Sequence, residues 1–414
     1  MRLGTGWNRR SFLGTVGMIA GSMMASKKMF AAKATTKVSG FGQSGNPYEE
    51  LGVPTVINCQ GTMTMLGGSI IRPELEAVMA QAGRHFVRIP DLEVAAGNRI
   101  AQMLKLPDGY TALVTAGAAA AIQSGLAGIL TGDNEAFIKQ IPDLTGMKSE
   151  VIIQKSHRNP FDHQLRTTGI KLVEIETVEE FRKAVNPRTA MMHFTNLFNS
   201  AGQIKIDEWV KLSKEYKIPC MNDAAADTPP VSHLWDYANM GFDLITFSGG
   251  KAMRGPQCAG LLIGRKELVA NALLNNSPHE DTLGRSSKVG KEEIIGMVKA
   301  LELYLAEDHD ALAREWQQRL DTVSQQITKV PGISTSMFTP DIANHVPHMQ
   351  ILWDGKISLT APQAAQILRS GSPSIAVGGG EGRPGLMICS FMLQPGEEHM
   401  VADQLTKLFR EHSA

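Results

Sequence analysis

The sequence predicts an α/β fold, in which a large domain built on a mostly parallel seven-stranded sheet precedes a smaller α+β C-terminal domain. The main observation is that short apolar runs alternate with amphipathic helical segments between residues 110 and 263. This alternation is typical of a parallel sheet that helices cover on both faces. Beyond residue 333, strands and helices follow one another in a different order, which indicates a separate C-terminal unit.

The strands of the predicted sheet are short apolar runs, most of them separated by segments with helical spacing. They lie at residues 112–115, 151–154, 172–175, 190–194, 218–222, 244–247 and 261–263. Upstream of them, the sequence predicts a short apolar segment at 53–57 and two amphipathic stretches at 73–87 and 92–106.

The C-terminal part is predicted to begin with one long helix at 291–330, because apolar residues recur there at helical spacing. Strands near 348–352 and 386–391 and helices at 361–369 and from Glu397 follow it. The predicted domains are a leader at 1–38, a large domain with an N-terminal arm at 39–290, and the long helix with the small domain at 291–414.

The composition limits the classes of function. The chain has 414 residues, with 41 basic and 41 acidic side chains, so its formal net charge at pH 7 is zero. A balanced charge does not indicate binding to nucleic acid or to an acidic membrane, since both attract proteins with an excess of positive charge. The cysteines form no CxxC pair, so neither a metal site nor a disulfide framework is predicted. They are Cys59, Cys220, Cys258 and Cys389, of which Cys258 lies close enough to Lys251 in sequence to line the same pocket.

The N-terminus resembles a twin-arginine export signal. Arg9 and Arg10 are followed by a polar residue and Phe12-Leu13, and then by an apolar run at 14–25 that is too short for a typical membrane-spanning helix. Ala32-Lys33-Ala34 is a plausible cleavage site. We therefore expect a mature periplasmic protein that is exported folded and has no stable membrane anchor after processing.

The strongest chemical signal is Lys251. The apolar strand at 244–247 ends in Ser248-Gly249-Gly250, which places this lysine where backbone can approach a ligand closely. A partly desolvated lysine has a lowered pKa and can form a Schiff base, as pyridoxal phosphate (PLP) chemistry requires. That cofactor also needs a carboxylate at its pyridine nitrogen, and Asp223 ends the preceding strand. An isolated motif of this kind also fits a surface lysine after a turn, and Asp223 favours the cofactor.

Two further segments fit the same cofactor. Thr115, Gly117, Ala118 and Ala119 lie between a predicted strand and a helix, where small residues let backbone N–H groups face a phosphate. Alanine-rich helix starts are also common packing devices. After the next strand, the His157 imidazole is predicted to stack on the cofactor ring and to relay protons, although His163 competes for this role.

The order of phosphate turn, stacking residue, strand-end aspartate and lysine resembles the aspartate-aminotransferase-like PLP fold, called fold type I. Within it, the chain is similar to the branch of the seryl-tRNA selenium transferases and the D-glucosaminate-6-phosphate ammonia-lyase-like proteins. The segments that carry this resemblance are 56–62, 115–121, 222–226, 247–260 and 284–291.

The resemblance implies a role for each matching residue. Lys251 forms the Schiff base, Asp223 pairs with the pyridinium, and Ser248 lies near the phosphate with the small residues of 115–119. Further substrate-binding residues are basic. Arg285 and Lys288 match a pair that binds anions, and Arg383 stands where the substrate carboxylate is often held; each also fits an ordinary basic loop or turn.

The chain also departs from the selenium transferases. Residues 61–69 lack the basic residue of their N-terminal loop, and an export signal stands where they carry a tRNA-binding domain. The resemblance therefore implies a PLP-dependent lyase that performs α,β-elimination at Cα of a small amino acid or amino sugar acid. The alternatives are a racemase or aminotransferase on the same scaffold, and a non-catalytic periplasmic binding protein. A homodimer or a higher closed oligomer is expected, with no nucleic-acid partner.

Overall fold

A computed structural model describes residues 45–380 and 383–413, which form two compact units. One unit comprises Gly67–Asp308 together with Pro340–His345. The other combines the described chain before Gly67 with His309–Thr339 and the chain from Val346 onward. The units differ from the predicted division at residue 290, because the helix at 291–306 packs against the helices at 73–82 and 89–104 and so belongs with the sheet.

The strands follow one another along the described chain with short connections. In chain order they are β1 (Val56–Cys59), β2 (Tyr110–Thr115), β3 (Glu150–Gln154), β4 (Lys171–Ile175), β5 (Thr189–Thr195), β6 (Cys220–Asp223), β7 (Leu244–Ser248), β8 (Gly260–Arg265), β9 (Ile333–Phe338), β10 (His348–Trp353), β11 (Ser374–Gly380) and β12 (Arg383–Cys389).

The α-helices lie before, between and after these strands. They are α1 (Pro47–Glu50), α2 (Pro73–Ala82), α3 (Ile89–Leu104), α4 (Gly117–Thr131), α5 (Glu135–Gln140), α6 (His163–Arg166), α7 (Val178–Ala184), α8 (Ile206–Tyr216), α9 (His233–Met240), α10 (Lys266–Leu274), α11 (Lys291–Ala306), α12 (His309–Ile327), α13 (Ala361–Ser370) and α14 (Glu397–Glu411). Single 3-10 turns occur at Thr64–Leu66, Lys155–His157, Pro160–Asp162 and Asn196–Phe198.

The large unit contains the predicted seven-stranded sheet. Its strand order is β2-β8-β7-β6-β5-β3-β4, and only β8 runs antiparallel to its neighbours. Every predicted strand is present, and its ends lie within two residues of those predicted. The strands were recognisable because β3 and β5 are buried along their whole length, which requires uninterrupted apolar or hydrogen-bonded side chains.

Helix α4 lies close against the backbone of α10. A Cβ atom added at Gly128 would lie 2.6 Å from the Ala272 nitrogen, so only glycine allows this approach. At Gly125, a Cβ would lie 2.7 Å from the Met221 side chain of β6. The glycines thus let the second half of α4 pack closely on the sheet and on α10.

At β2, which is an edge strand of the sheet, a buried carboxyl group accepts a backbone hydrogen bond. Glu93 of α3 is 2% exposed, and its Oε2 accepts a hydrogen bond from the Val114 backbone N–H at 3.3 Å. Burial raises the pKa of Glu93 to about 8, and the hydrogen bond from Val114 opposes this shift only in part. The folded protein therefore favours the neutral acid near neutral pH.

Replacing Glu93 by glutamine should make stability less dependent on pH. Because the pKa of Glu93 is raised on folding, its stabilising contribution is present at pH 4 and is lost as the pH rises through about 8. Glutamine keeps an acceptor for Val114 without ionising. We expect it to gain on the order of 1–3 kcal/mol over the native chain at pH 9 relative to pH 5 in urea unfolding. The exposed Glu135→Gln change should show no such gain, and equal pH slopes for the native and Glu93→Gln chains would contradict the prediction.

The second unit has a five-stranded sheet in the order β1-β11-β12-β10-β9, in which only the β1–β11 pair is parallel. Its core packs α12, α13 and α14 against this sheet through residues such as Leu320, Leu368 and Leu405. The predicted helix at 291–330 is in fact two helices. It breaks because Glu307 adopts extended backbone, with ψ of 148°, and pairs with Arg72.

The described residues contain no helix that is both long enough and apolar enough to cross a bilayer. Within the same residues, no three His, Cys, Asp or Glu side chains are grouped as metal ligands.

Candidate active site

The carboxyl ends of β5, β6 and β7 bring polar side chains together at one edge of the large sheet. Asp223 is the last residue of β6, and it lies in register with Thr195 of β5 and Thr246 of β7. Lys251 is the third residue after the end of β7. Because parallel strands end at the same edge, residues far apart in sequence converge there.

The loop that carries Lys251 is held by backbone hydrogen bonds. The Gly249 N–H donates to the Ala259 carbonyl and the Arg254 N–H donates to the Lys251 carbonyl, each at 2.9 Å. A Cβ at Gly249 would lie 2.3 Å from the Met297 sulfur, and one at Gly250 would lie 2.5 Å from the Gln257 Cα. The glycines before Lys251 are thus required by packing, and they fix where the lysine leaves the sheet.

The Lys251 amine has no hydrogen-bond or ion-pair partner in the part of the chain that the structure describes. Burial lowers the pKa of Lys251, which is the direction predicted from the sequence, while the negative charges of Asp223 and Asp227 oppose this shift. The residue therefore offers a weakly solvated amine that feels the negative charge of two carboxyl groups. Such an amine reacts readily with a carbonyl compound.

Asp223 is 9% exposed and has one oxygen in use. Its Oδ1 accepts from the Ala225 N–H at 3.2 Å and from the Thr246 hydroxyl at 3.5 Å. Its Oδ2 accepts no hydrogen bond from the described residues. That oxygen can accept from a charged N–H donor, which a pyridinium supplies.

The start of α4 is open at its amide groups. Ala116 provides no side-chain cap, Gly117 has φ of 81°, and Ala118 and Ala119 are partly or fully exposed. A Cβ at Gly260 of β8 would lie 2.5 Å from the Gly117 carbonyl carbon, so glycine lets β8 support this turn. Uncapped amides at the start of a long helix suit a phosphate group.

The Thr115 hydroxyl, which was predicted to be a phosphate donor, makes its hydrogen bond within the turn. The Thr115 side chain is fully buried, and its hydroxyl donates to the Gly117 carbonyl at 2.9 Å. Thr115 instead fixes the shape of the turn. Ser248, at the end of β7, is partly exposed and remains a candidate hydroxyl donor.

These features fit PLP. An unpartnered amine, a strand-end carboxylate with a free oxygen, and an uncapped helix start match the aldehyde, the pyridine nitrogen and the phosphate of that cofactor. Lys251, Asp223 and the amides of 117–119 are the groups that would hold it.

The predicted ring-stacking residue, His157, is enclosed by neighbouring side chains and backbone. It is fully buried, it packs edge-on against Phe194 at 4.5 Å between ring centroids, and its Nδ1 accepts from the Thr195 N–H at 3.2 Å. Burial is the main reason that its pKa is lowered to about 3, so the ring is neutral at physiological pH. Both features oppose stacking on a cofactor and proton relay. The competing His163 is exposed at the start of α6.

A buried network that the sequence analysis missed surrounds Asp227. The Asn196 Nδ2 donates to Asp227 Oδ2 at 2.6 Å, and the Tyr237 hydroxyl donates to the same oxygen at 3.0 Å. Burial raises the pKa of Asp227 to about 6 against these hydrogen bonds. The only signal in the sequence was an acidic residue four positions after Asp223.

Two of the predicted anion-binding residues are more exposed to solvent than Lys251 and Asp223 are. Arg285 and Lys288 are exposed, and neither has an ion-pair partner among residues 45–380 and 383–413. Arg383 begins β12, but its side chain lies outside the described residues. Cys258 is exposed in the lysine loop, whereas the other three cysteines are buried, and all four are free thiols.

Comparisons with known proteins identify the family of the chain. The sequence model of the family SelA, L-seryl-tRNA selenium transferase, matches residues 56–330. The D-glucosaminate-6-phosphate ammonia lyase of Salmonella typhimurium is 27% identical over 80% of this chain and 88% of that protein. The 5'-C-glycyluridine monooxygenase-decarboxylase of a Streptomyces species is 28% identical over 88% of this chain and 92% of that protein.

Solved structures confirm the predicted fold. A structure of D-glucosaminate-6-phosphate ammonia-lyase has a TM-score of 0.77 at 24% identity and covers 89% of this chain and 99% of its own. An alanine–glyoxylate aminotransferase from Nostoc has a TM-score of 0.54 at 13% identity, covering 87% of this chain and 95% of its own. Both support the aspartate-aminotransferase-like fold type I. The protein is a PLP-dependent enzyme, and the chain belongs to the SelA, or L-seryl-tRNA selenium transferase, family.

Proposed function

We propose that the enzyme is a lyase that performs α,β-elimination on a small amino acid or amino sugar acid. The observation that carries this proposal is the unpartnered Lys251 amine, which follows β7 at the sheet edge where the neighbouring β6 ends in Asp223. When bound, PLP withdraws electrons from the bonds at the substrate Cα. The site then needs a base beside Cα and a group that keeps the pyridine nitrogen protonated.

Lys251 and Asp223 supply these two groups. With a lowered pKa, Lys251 spends more time as the free amine that takes the Cα proton at Nζ. The Asp223 carboxylate would hold the pyridine nitrogen of the cofactor and would favour its charged, protonated form. Loss of a Cβ substituent, followed by hydrolysis, releases ammonia and a 2-oxo acid.

The substrate class is taken from the relatives. The Salmonella relative is named for an amino sugar acid phosphate and for ammonia release, and it aligns over most of both chains. The Streptomyces relative is named as a monooxygenase-decarboxylase, so relatives of similar identity carry names for different reactions. Racemisation or transamination by this scaffold, and a binding function without catalysis, are the alternatives that the experiment must exclude.

The test is to mix the purified, PLP-loaded protein with L- and D-amino acids and amino sugar acids. Elimination predicts ammonia and a 2-oxo acid in equal amounts from one class of compound. Loss of optical activity without ammonia would indicate racemisation, and an amine product that requires a 2-oxo acid acceptor would indicate transamination. A cofactor spectrum that responds to no compound would favour the binding function.

We also propose export to the periplasm by a twin-arginine signal, which lies outside the described residues. The support is the sequence Asn8-Arg-Arg-Ser-Phe-Leu13, followed by a short apolar run. Changing Arg9 and Arg10 to lysine should leave the enzyme in the cytoplasm of a bacterial host, as detected by immunoblotting of cell fractions. Changing Lys27 and Lys28 to arginine is the matched control. Undiminished periplasmic enzyme in the Arg9/Arg10 variant would refute the proposal.

Assembly into a homodimer or a higher closed oligomer is proposed from the fold, whose sites usually lie between subunits. An exposed apolar segment between α2 and α3, with Phe86 fully exposed and Val87 half-exposed, is a surface that a second copy would bury. Light scattering of the purified enzyme should give at least twice the chain mass. The chain mass itself would contradict assembly.

A further inference from the structure

Two arginines lie where the segment at 67–72 crosses the loop that carries Lys251. A Cβ at Gly68 would lie 2.7 Å from the Gly250 carbonyl oxygen, so the two segments are in direct contact. Arg72 is 7% exposed and donates from Nη1 to the Met253 carbonyl at 3.1 Å. Arg254, the next residue in the loop, donates from Nε to the Ile70 carbonyl at 2.9 Å.

The positive charge of this pair is only half compensated. Arg72 forms an ion pair with Glu307 at 2.5 Å. Arg254 has no ion-pair partner in the described chain, and its two Nη groups donate to none of the described residues. Burial and the like charge of Arg72 lower the pKa of Arg254, against the weaker effects of Glu307 and Glu74. Of the two guanidinium groups, only that of Arg72 contacts a carboxylate among the described residues.

The backbone at Arg254 is also unusual. Its φ is 53°, a left-handed conformation that a residue with a Cβ adopts at a cost. Glycine would adopt this conformation freely, yet an arginine stands there. This strained backbone carries a half-buried guanidinium. Its Nε is held by the Ile70 carbonyl, and its two Nη groups donate to none of the described residues. A planar pair of donors of this kind matches the oxygens of a carboxylate or a phosphate.

We propose that Arg254, with Arg72 behind it, binds an oxyanion carried by the substrate at a position other than the carboxylate next to Cα. The ligand is a phosphate or a second carboxylate. This inference rests on the proposed function for the identity of the ligand, and on the geometry alone for the existence of an anion site. It adds a site on the lysine loop to the predicted residues Arg285, Lys288 and Arg383.

The chain offers matched variants for the test. Arg254→Gly removes the guanidinium while suiting the left-handed backbone, and Arg254→Asn is a second variant that tolerates the same conformation. Lys105 and Lys217 are exposed cations with φ of 49° and 52°, so Lys105→Gly and Lys217→Gly remove the same charge from the same backbone conformation elsewhere.

The first measurement is a calorimetric titration of inorganic phosphate into the PLP-loaded enzyme, in which the phosphate site of the cofactor is filled. We expect one site that binds at least about tenfold more weakly in Arg254→Gly and Arg254→Asn, because a charge-assisted pair of hydrogen bonds is lost. The two lysine variants should bind as the native enzyme does. Unchanged binding in the Arg254 variants, equal losses in the lysine variants, or binding only to cofactor-free protein would each overturn the inference.

The second measurement separates this inference from the proposed function. For substrates that turn over, Arg254→Gly should raise KM at least about tenfold only for those with a second anionic group, with kcat nearly unchanged. Equal KM changes for substrates with and without that group would overturn the assignment to the substrate. If no compound turns over in the native enzyme, the proposed function fails, and the phosphate titration still decides the anion site.

Discussion

Replacing Lys251 by alanine should abolish turnover and the absorbance band near about 420 nm that a lysine-bound PLP gives. The loss of activity should be at least about a thousandfold, because the variant lacks both the attachment point of the cofactor and the base at Cα. The fold should persist, since the Lys251 amine makes no hydrogen bond to the described residues and the loop is held by its backbone and by Gly249 and Gly250.

The readouts are the absorbance spectrum, ammonia release and circular dichroism of the purified variant. The control is Lys266→Ala, which removes an exposed lysine at the start of α10 and should keep both band and activity. Turnover retained by Lys251→Ala would disprove the mechanism. Loss of the circular dichroism signal would instead show that the lysine stabilises the fold, contrary to the structure.

Replacing Asp223 by asparagine should reduce kcat by about 100- to 1,000-fold while the cofactor still attaches to Lys251. An amide at this position can accept a hydrogen bond but supplies no negative charge to favour a protonated pyridine nitrogen. The same substitution removes the charge that holds the pKa of Lys251 up, so the pKa of Lys251 should fall further. The pH at which the free lysine of the cofactor-free protein becomes reactive should therefore move lower.

Two independent measurements check this variant. Steady-state kinetics should show the loss in kcat, and the rate of reaction of Lys251 with an aldehyde reagent in the cofactor-free protein should show the shift with pH. Asp207→Asn, an exposed change in the first turn of α8, should alter neither. If the Asp223→Asn enzyme kept the native kcat, the assignment of Asp223 to the pyridine nitrogen would be refuted.

The sheet could be predicted from the sequence because strands such as β3, β5 and β6 are buried along their whole length and most strands read as apolar runs. The β1–β11 pair could not, since it joins residues 56–59 to 374–377 and nothing local marks such a pairing. The break between α11 and α12 could not be predicted from the sequence either. It depends on Glu307 meeting Arg72, which lies 235 residues away in sequence.

Some residues of the candidate site could be predicted from the sequence and others could not. Lys251 and Asp223 follow strand ends, so the fold class alone places them at one edge of the sheet. The position of His157 depends on the tertiary packing of Phe194 and on the Thr195 N–H, and periodicity carries no information about either. Arg254 was missed because the left-handed conformation of a residue other than glycine is not marked in the sequence.

The pairing of β2 with β8 joins Tyr110–Thr115 to Gly260–Arg265. The turn at 115–118 therefore depends on a segment about 150 residues later in the chain, which lies between β2 and β7. Contacts between segments so far apart in sequence slow folding, because the long loop must close first. A cofactor that binds only the completed sheet stabilises it by mass action. Under the export proposed above, the cytoplasmic supply of PLP would then help to set how many chains become competent for transport.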